Sequence, residues 1–380
     1  MEHIYLDHAA TTPMDKRVIE AMVPIYEEVF GNPSSVHAFG RKARQLLDES
    51  RRILAKSIHA NEKEIILTSG GTEADNLALI GTALANKHKG NHIITSNIEH
   101  HATLHTAEYL EKEGFEVTYL PVQEDGRIDI TDLKEALKDE TILVSVMYAN
   151  NGTGIIQPIE EIGGLLKDHQ AYFHTDAVQA YGAIEIEVDK LGVDLLSVSA
   201  HKINGPKGIG FLYAREGIKL NALQFGGEQE RKRRPGTENV VGVIGFKVAV
   251  EVMMEEREKR NEKYESYKQQ FLQILKEEGI SFGINGNINS TIPSIVNISF
   301  PGTNVEKLLA NFDLSGVAAS SGSACTAGSV EPSDVLSAIF GANNSCTTNS
   351  IRFSFGAANT NENVVEAAHR IVKIIKRLVK

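Results

Sequence analysis

The 380-residue chain is poor in cysteine: Cys325 and Cys346 are its only two, so no disulfide framework is on offer. A reducing cytoplasm is the natural setting for such a chain. Long apolar runs are missing too. None approaches the about 18 residues that a membrane helix needs, and the best stretch, 240–254, is broken by Lys247 and Glu251. The start, Met1-Glu2-His3-Ile4, lacks the basic opening and apolar core of a signal peptide. No internal repeat and no low-complexity tract occurs. Cations are in deficit: 39 basic against 50 acidic residues give a net charge of −11, which argues against a general nucleic-acid surface.

With 42% hydrophobic residues over 380 positions, the chain can bury one large core and a smaller second one. From Glu64 onwards, apolar runs alternate with helical spacing. Ile65-Ile66-Leu67-Thr68, His92-Ile93-Ile94-Thr95, the stretch 115–120, the stretch 142–147, Tyr172-Phe173-His174 and Leu195-Leu196-Ser197-Val198 all read as buried strands. The pattern predicts an α/β fold with a large, mostly parallel sheet covered by helices on both faces. Gly210-Phe211-Leu212-Tyr213, close behind a turn, reads as an antiparallel addition. Before the sheet, 15–30 and 41–58 carry helical spacing; after it, a long charged helix over 251–278 leaves the large domain. The alternating strand 294–300, a helix at 304–312, a strand at 350–355 and a terminal helix make a smaller α+β domain. The expected division is 15–255 for the large domain, with 1–14 and 256–380 forming the small one.

One stretch carries the chemistry: Ser199-Ala200-His201-Lys202-Ile203-Asn204-Gly205-Pro206-Lys207-Gly208. It follows a buried strand, and in α/β proteins ligands sit at the carboxyl ends of strands. A lysine placed there suits a Schiff base with pyridoxal phosphate, which asks for hydroxyl and imidazole neighbours near the phosphate and a carboxylate near the ring nitrogen. Ser199 and His201 supply the first. Asp176, in Phe173-His174-Thr175-Asp176-Ala177-Val178-Gln179, supplies the second.

Other strand ends converge on the same chemistry. Gly70-Gly71-Thr72, between strand and helix, offers backbone N–H groups and a hydroxyl for phosphate. His100 opens the loop after the next strand and suits stacking on a pyridine ring and moving protons. His101 and His105 share a helix face, but no third ligand follows at a recognisable spacing, so no metal site is expected. Gln179 suits a hydrogen bond to the phenolic oxygen of the cofactor, and Asn151 reaches that oxygen or the substrate. The run Glu230-Arg231-Lys232-Arg233-Arg234-Pro235-Gly236-Thr237 reads three ways: a basic patch, a solvated loop or a pocket rim. In Ser320-Ser321-Gly322-Ser323-Ala324-Cys325, small residues leave Cys325 accessible, as a nucleophilic thiol must be. Cys346 lacks such a setting and receives no role. Arg352, in a strand of the small domain, has the planar fork that captures a carboxylate.

With these pieces placed, the chain resembles the cysteine desulfurases, in the class V aminotransferase group of pyridoxal-phosphate enzymes. The likeness runs from Tyr5-Leu6-Asp7-His8-Ala9-Ala10-Thr11-Thr12-Pro13 to Ser350-Ile351-Arg352-Phe353-Ser354, and is most specific at Ser199-Ala200-His201-Lys202 and at the Cys325 loop. It implies the type I pyridoxal-phosphate transferase fold, with Lys202 holding the cofactor, His100 stacked on it, and Asp176 and Gln179 tuning it. Gly71, Thr72, Ser199 and His201 would bind phosphate, joined by Thr237 from the other subunit of a homodimer. Asn151 and Arg352 would orient L-cysteine, and Cys325 would take its sulfur as a persulfide for an acceptor, a tRNA-thiolating enzyme or an iron–sulfur scaffold. Neither a membrane nor direct nucleic-acid binding is implied. Two departures stand out. Many relatives have Glu where Gly152 follows the paired asparagines, which is expected to loosen the loop and to bear on rate. The chain also stops at Lys380, soon after its last helix, which looks more like the desulfurases that feed tRNA thiolation. Rival readings are a selenocysteine lyase, another enzyme of the same fold, or a sulfur carrier or scaffold without catalysis.

Overall fold

The computed structural model describes residues 3–321 and 332–379. Its strands in chain order are β1 (Ile4–Tyr5), β2 (Ile65–Thr68), β3 (His92–Ser96), β4 (Glu116–Leu120), β5 (Thr141–Ser145), β6 (Tyr172–Asp176), β7 (Leu195–Ser199), β8 (Gly210–Ala214), β9 (Gly283–Ile284), β10 (Ile295–Ser299), β11 (Val317–Ala318) and β12 (Ser350–Ser354). Seven of them form one sheet in the order β2-β8-β7-β6-β5-β3-β4. Strands β3 to β7 pair in parallel, and β8 runs antiparallel to both of its neighbours. Strands β2, β3, β5, β6, β7 and β8 are buried along their whole length except for Tyr172, as expected of a sheet with both faces covered.

The helices α1 (Lys16–Glu28), α2 (Ala38–Lys56), α3 (Gly71–Asn86) and α4 (His101–Lys112) lie around this sheet. Each has a local reason to start. Asp15 and His37 cap α1 and α2 by accepting from backbone N–H groups, and His100 caps α4 through its ring. Helix α3 starts at glycines for two local reasons: Gly70 has a φ of 155°, which residues with a side chain rarely adopt, and Gly71 is crowded. A Cβ on Gly71 would lie 2.8 Å from Val178 Cγ2, and one on Gly210, in the neighbouring β8, would lie 2.8 Å from Gly70 Cα.

A second core forms around the antiparallel sheet β12-β10-β9 and the helices Val305–Leu314 and Asn361–Leu378. The amino terminus belongs to it: β1 pairs in parallel with β11, and Ile4 and Leu6 are buried there. The long helix differs from the sequence expectation. It begins at Val240, well before 251, and runs unbroken to Glu277. Val243, Phe246 and Val250 bury against the large core, and Tyr267, Phe271 and Leu275 against the second. The apolar stretch that the charged residues seemed to interrupt is the inward face of this helix, with Lys247 turned out to Glu49.

Candidate active site

A cavity of about 400 Å³ opens at the carboxyl ends of β2, β3, β5, β6 and β7. It gathers Gly71, Thr72, His100, Asn151, Asp176, Gln179, Ser199, His201 and Lys202 from the large core, and Arg352 from β12. Asp7 and Arg352, 345 positions apart in sequence, thus share one wall. Among the residues singled out from sequence, Thr237 is exposed and is not in the cavity wall. Cys325 lies outside the described residues.

Lys202 ends the short turn after β7 and is mostly buried. Its ammonium donates to the carbonyl of Ala10 at 2.9 Å and also to that of Ala9. Burial, then the Arg352 guanidinium, lower its pKa from the usual lysine value to about 8. Such an amine is available as a nucleophile at neutral pH to a degree an exposed lysine is not. Gln179 Nε2 donates to the same Ala9 carbonyl at 2.8 Å, so it also fixes the strand entry that holds Lys202.

Asp176 accepts from Val178 N at 2.8 Å. Burial raises its pKa, while His100 and Lys202 pull the other way. A protonated ring nitrogen is the charge this carboxylate calls for. His100 accepts from Ala102 N at 3.1 Å through Nδ1, so its proton sits on Nε2, and burial depresses its pKa. Burial also holds His201 down to about 4, with Nδ1 at 3.1 Å from Thr11 Oγ1. It is therefore a neutral hydrogen-bonding group at neutral pH.

Arg352 is 4% exposed. Its Nη1 donates to Asn151 O at 2.8 Å and its Nη2 to Asp7 Oδ1 at 2.7 Å, while its Nε has no partner among the described residues. One arm of the fork expected to meet a substrate carboxylate therefore already holds Asp7. The Asn151 turn is also firmer than its glycine suggested: Asn150 Oδ1 accepts from Gly152 N at 2.8 Å and Thr153 N at 2.9 Å, and Asn297 Nδ2 donates to Gly152 O at 3.0 Å.

Sequence reasoning missed an acidic floor. Asp75, 1% exposed, lines the cavity, and Glu99, 3% exposed, lies close enough to Asp176 to act on it electrostatically. Glu99 Oε1 accepts from Ser96 Oγ at 2.5 Å and Met147 N at 2.9 Å, and burial pushes its carboxyl up to about 8. Burial and Asp176 raise Asp75 as well. The neighbouring His174, 3.6 Å from Asp75, is pushed down to about 3 by burial and stays neutral between Ser145 and Ser197. A carboxylate among the small and apolar residues of a buried helix, as Asp75 is in α3, is the signal that would have found it.

The basic run is partly a solvated loop, with Arg231, Lys232, Gly236 and Thr237 exposed, and partly anchored. Glu230 is buried in a bidentate pair with Arg51, at 2.7 and 2.5 Å, and accepts from Leu67 N at 3.0 Å. Arg231 and Arg233 donate to Lys63 O at 2.6 and 3.2 Å. Arg234 pairs with Glu73, in the first turn of α3, at 2.7 Å. Glu230, Arg231 and Lys232 all adopt left-handed backbone, with φ of 46°, 57° and 64°. His101 and His105 stack at 4.9 Å, and no cluster able to hold a metal occurs among the described residues. Cys346 is buried, and burial raises its thiol pKa.

The family model described as "Aminotransferase class-V" matches residues 4–366. The chain belongs to that family. It is 59% identical to the "Putative cysteine desulfurase IscS 1" of Bacillus subtilis over 378 residues, which spans 100% of both chains. It is 46% identical to the "Cysteine desulfurase IscS" of Methanosarcina thermophila, covering 99% of this chain and 92% of that one. Among solved structures, a "NIFS-LIKE PROTEIN" superposes with a TM-score of 0.92 at 34% identity, over 99% of this chain and 100% of the other. "SspA in complex with cysteine" does so at 0.83 with 36% identity, over 92% and 98%. Enzymes of this family work with pyridoxal phosphate, and the cavity fits it: a buried, weakly basic amine, a buried carboxylate short of a cation, and glycines opening a helix N-terminus stand around one space.

Proposed function

We propose that this chain is a cysteine desulfurase: it takes sulfur from L-cysteine, releases L-alanine, and keeps the sulfur as a persulfide on Cys325. The observation that carries the reading is Lys202 and Arg352 facing one cavity from two different cores. Bound pyridoxal phosphate supplies an electron sink for the substrate α-carbon. Lys202 would supply the amine that holds the cofactor and would be the base that carries the substrate α-proton. Asp176 holds a proton at the ring nitrogen. His100 would lie beside the cofactor ring with its Nε2–H free to donate, and Gln179 would serve the phenolic oxygen. The helix start at Gly71 and Thr72, with Ser199 and His201, takes the phosphate. Thr237 joins them from a second copy in a homodimer. Arg352 and Asn151 orient the substrate carboxylate, with Asp7 giving up its place on the guanidinium. In the sulfur step the substrate Cβ–S bond breaks and an S–S bond forms to the Cys325 thiolate, and the carbon left behind gains a proton to become the alanine methyl.

The reach is reasonable. Ser320 lines the cavity, and five residues of chain span at most about 17 Å. His101, next to His100, meets Asp334 at 3.3 Å. The remaining assignments follow the same reading: large domain 15–255, small domain 1–14 with 256–380, a cytoplasmic location, and transfer to a tRNA-thiolating enzyme or an iron–sulfur scaffold. No helix among the described residues is long and apolar enough to cross a membrane.

The deciding experiment is Cys325→Ser. It is expected to keep the visible absorption of the bound cofactor and its response to L-cysteine, yet release almost no alanine. Mass spectrometry of the unaltered protein should find one added sulfur, on the Cys325 peptide. Sulfur on Cys346, with Cys325→Ser still active, refutes the assignment.

A further inference from the structure

Arg352 has an anion of its own chain against it. Its Nη2 donates to Asp7 Oδ1 at 2.7 Å, and both residues line the cavity of about 400 Å³. The two partners differ in access. The Arg352 side chain is 5% exposed and that of Asp7 21%, so the carboxylate is the member with a way out. The pair of Arg51 and Glu230 is the contrast: there both side chains are buried, at 8% and 3%, and neither lines this cavity.

The backbone at Asp7 is fixed beside the strand that carries Arg352. Ser354 N donates to Leu6 O at 2.8 Å, His8 N to Ser354 O at 3.3 Å, and Ala9 N to Ser354 Oγ at 2.9 Å, so the residues on either side of Asp7 are tied to β12. A side-chain rotation therefore takes the carboxylate off the guanidinium and brings it back without moving the main chain. A guanidinium as buried as this one is costly without a counter-ion, which accounts for the pairing. Two carboxylates on one guanidinium repel each other, so a substrate carboxylate and Asp7 compete for it.

We infer that Asp7 is a built-in competitor for the carboxylate site of Arg352, and that it sets how tightly the enzyme holds amino acids. It neutralises the guanidinium until an amino-acid carboxylate displaces it, and it returns as the product leaves. The exchange swaps one ion pair for another and makes or breaks no covalent bond. Because the apparent affinity falls with the fraction of sites in which Arg352 is released from Asp7, substrate and product are both weakened by the same factor. The product gains most from this in rate of departure, since L-alanine has lost the sulfur that L-cysteine brought. Asp7 acts through Arg352 and is a positioning residue. The inference rests on Arg352 being the group that takes the substrate carboxylate.

Titration of the cofactor-loaded protein with L-alanine, followed by the visible absorption of the cofactor, tests it. Asp7→Asn keeps the size and one acceptor but drops the charge, and is expected to bind L-alanine at least about fivefold more tightly than the unaltered protein. Asp7→Glu keeps the charge and should stay within about twofold of the unaltered protein. A merely structural Asp7 gives the opposite sign, because losing a support weakens binding; unchanged or weaker binding by Asp7→Asn overturns the inference. Propionate, a carboxylate without the amine, should compete with L-alanine more tightly by the same factor. A gain for L-alanine alone places the effect on the amine and also overturns it. A crystal structure with L-alanine bound should show the contact between Arg352 and Asp7 opened, and a closed contact overturns the competition. Arg352→Gln separates the two readings. If it binds L-alanine as tightly as the unaltered protein, Arg352 is not the carboxylate site and the inference falls with that reading; if its binding falls while Asp7→Asn shows no gain, the inference alone fails.

Discussion

Removing the Arg51 side chain is the sharpest test of how the segment leading to Thr237 is held. Three successive residues, Glu230, Arg231 and Lys232, sit in left-handed backbone, and each such non-glycine residue costs about 1–3 kcal/mol. What holds them is the Glu230 carboxylate, whose side chain is 3% exposed, against an Arg51 side chain that is 8% exposed. In Arg51→Met the carboxylate keeps only Leu67 N, at 3.0 Å. Breaking a buried pair by removing one partner costs about 3–5 kcal/mol, because a charge is left uncompensated. At about 2 °C of melting temperature per kcal/mol for a large chain, the fall should be at least about 6 °C. Thermal unfolding of the cofactor-loaded protein, followed by circular dichroism at one fixed concentration, reads it directly. Adding Glu230→Gln to Arg51→Met removes the stranded charge while keeping an acceptor for Leu67 N, and should recover at least half of the loss. A single variant that melts within about 2 °C of the parent, or a double variant no better than the single, refutes the reasoning.

The lowered pKa of Lys202, about 8, fixes a pH response. The amine is free above that value, so capture of pyridoxal phosphate by apoprotein should rise through pH about 8 and then level off. A rise that continues towards the ordinary lysine value of about 10.4 contradicts the burial argument. Asp176→Asn should bind the cofactor but lose at least about 100-fold in alanine release, since an amide cannot hold the ring proton by charge; near-normal turnover removes Asp176 from that role. Light scattering should find a dimer, and Thr237→Ala should weaken cofactor binding about tenfold. Mixing Thr237→Ala with Lys202→Ala subunits should then regenerate one complete site per mixed dimer, whereas no regained activity means that Thr237 does not act across subunits.

The sheet was legible because all its strands except the edge strand β4 are buried almost throughout and so appear as short, mostly apolar runs between helical spacings. The same is true of the residues at strand ends, where Lys202, Asp176, His100 and Gly71 each follow such a run. What stayed hidden depends on contacts between distant segments. Asp75 sits in the second turn of α3, and only the approach of β6 and β7 turns it into part of a cavity floor. Asp7 matters because β1 and the residues after it join the second core and meet Arg352 at 2.7 Å, 345 positions away in sequence. The basic run misled because Glu230, its one acid, is the buried member, and its partner Arg51 lies in another helix. The early start of the long helix was obscured by Lys247 and Glu251, which lie on its outward side.

The helix Val240–Glu277, 38 residues and so about 57 Å long, has one further consequence. Phe246 stacks near Phe211 in the large core, and Phe271 lies 4.8 Å from Phe353 in the small one. Both contacts hang on a single ladder of backbone hydrogen bonds, where two cores elsewhere are often joined by a pliable tether. Losing either core strips one end of the helix, and an isolated segment of about 12–15 residues is only marginally helical in water. The wall that carries Arg352 therefore keeps its distance from Lys202 by a rigid strut, and a defect at either end of that strut reaches the other.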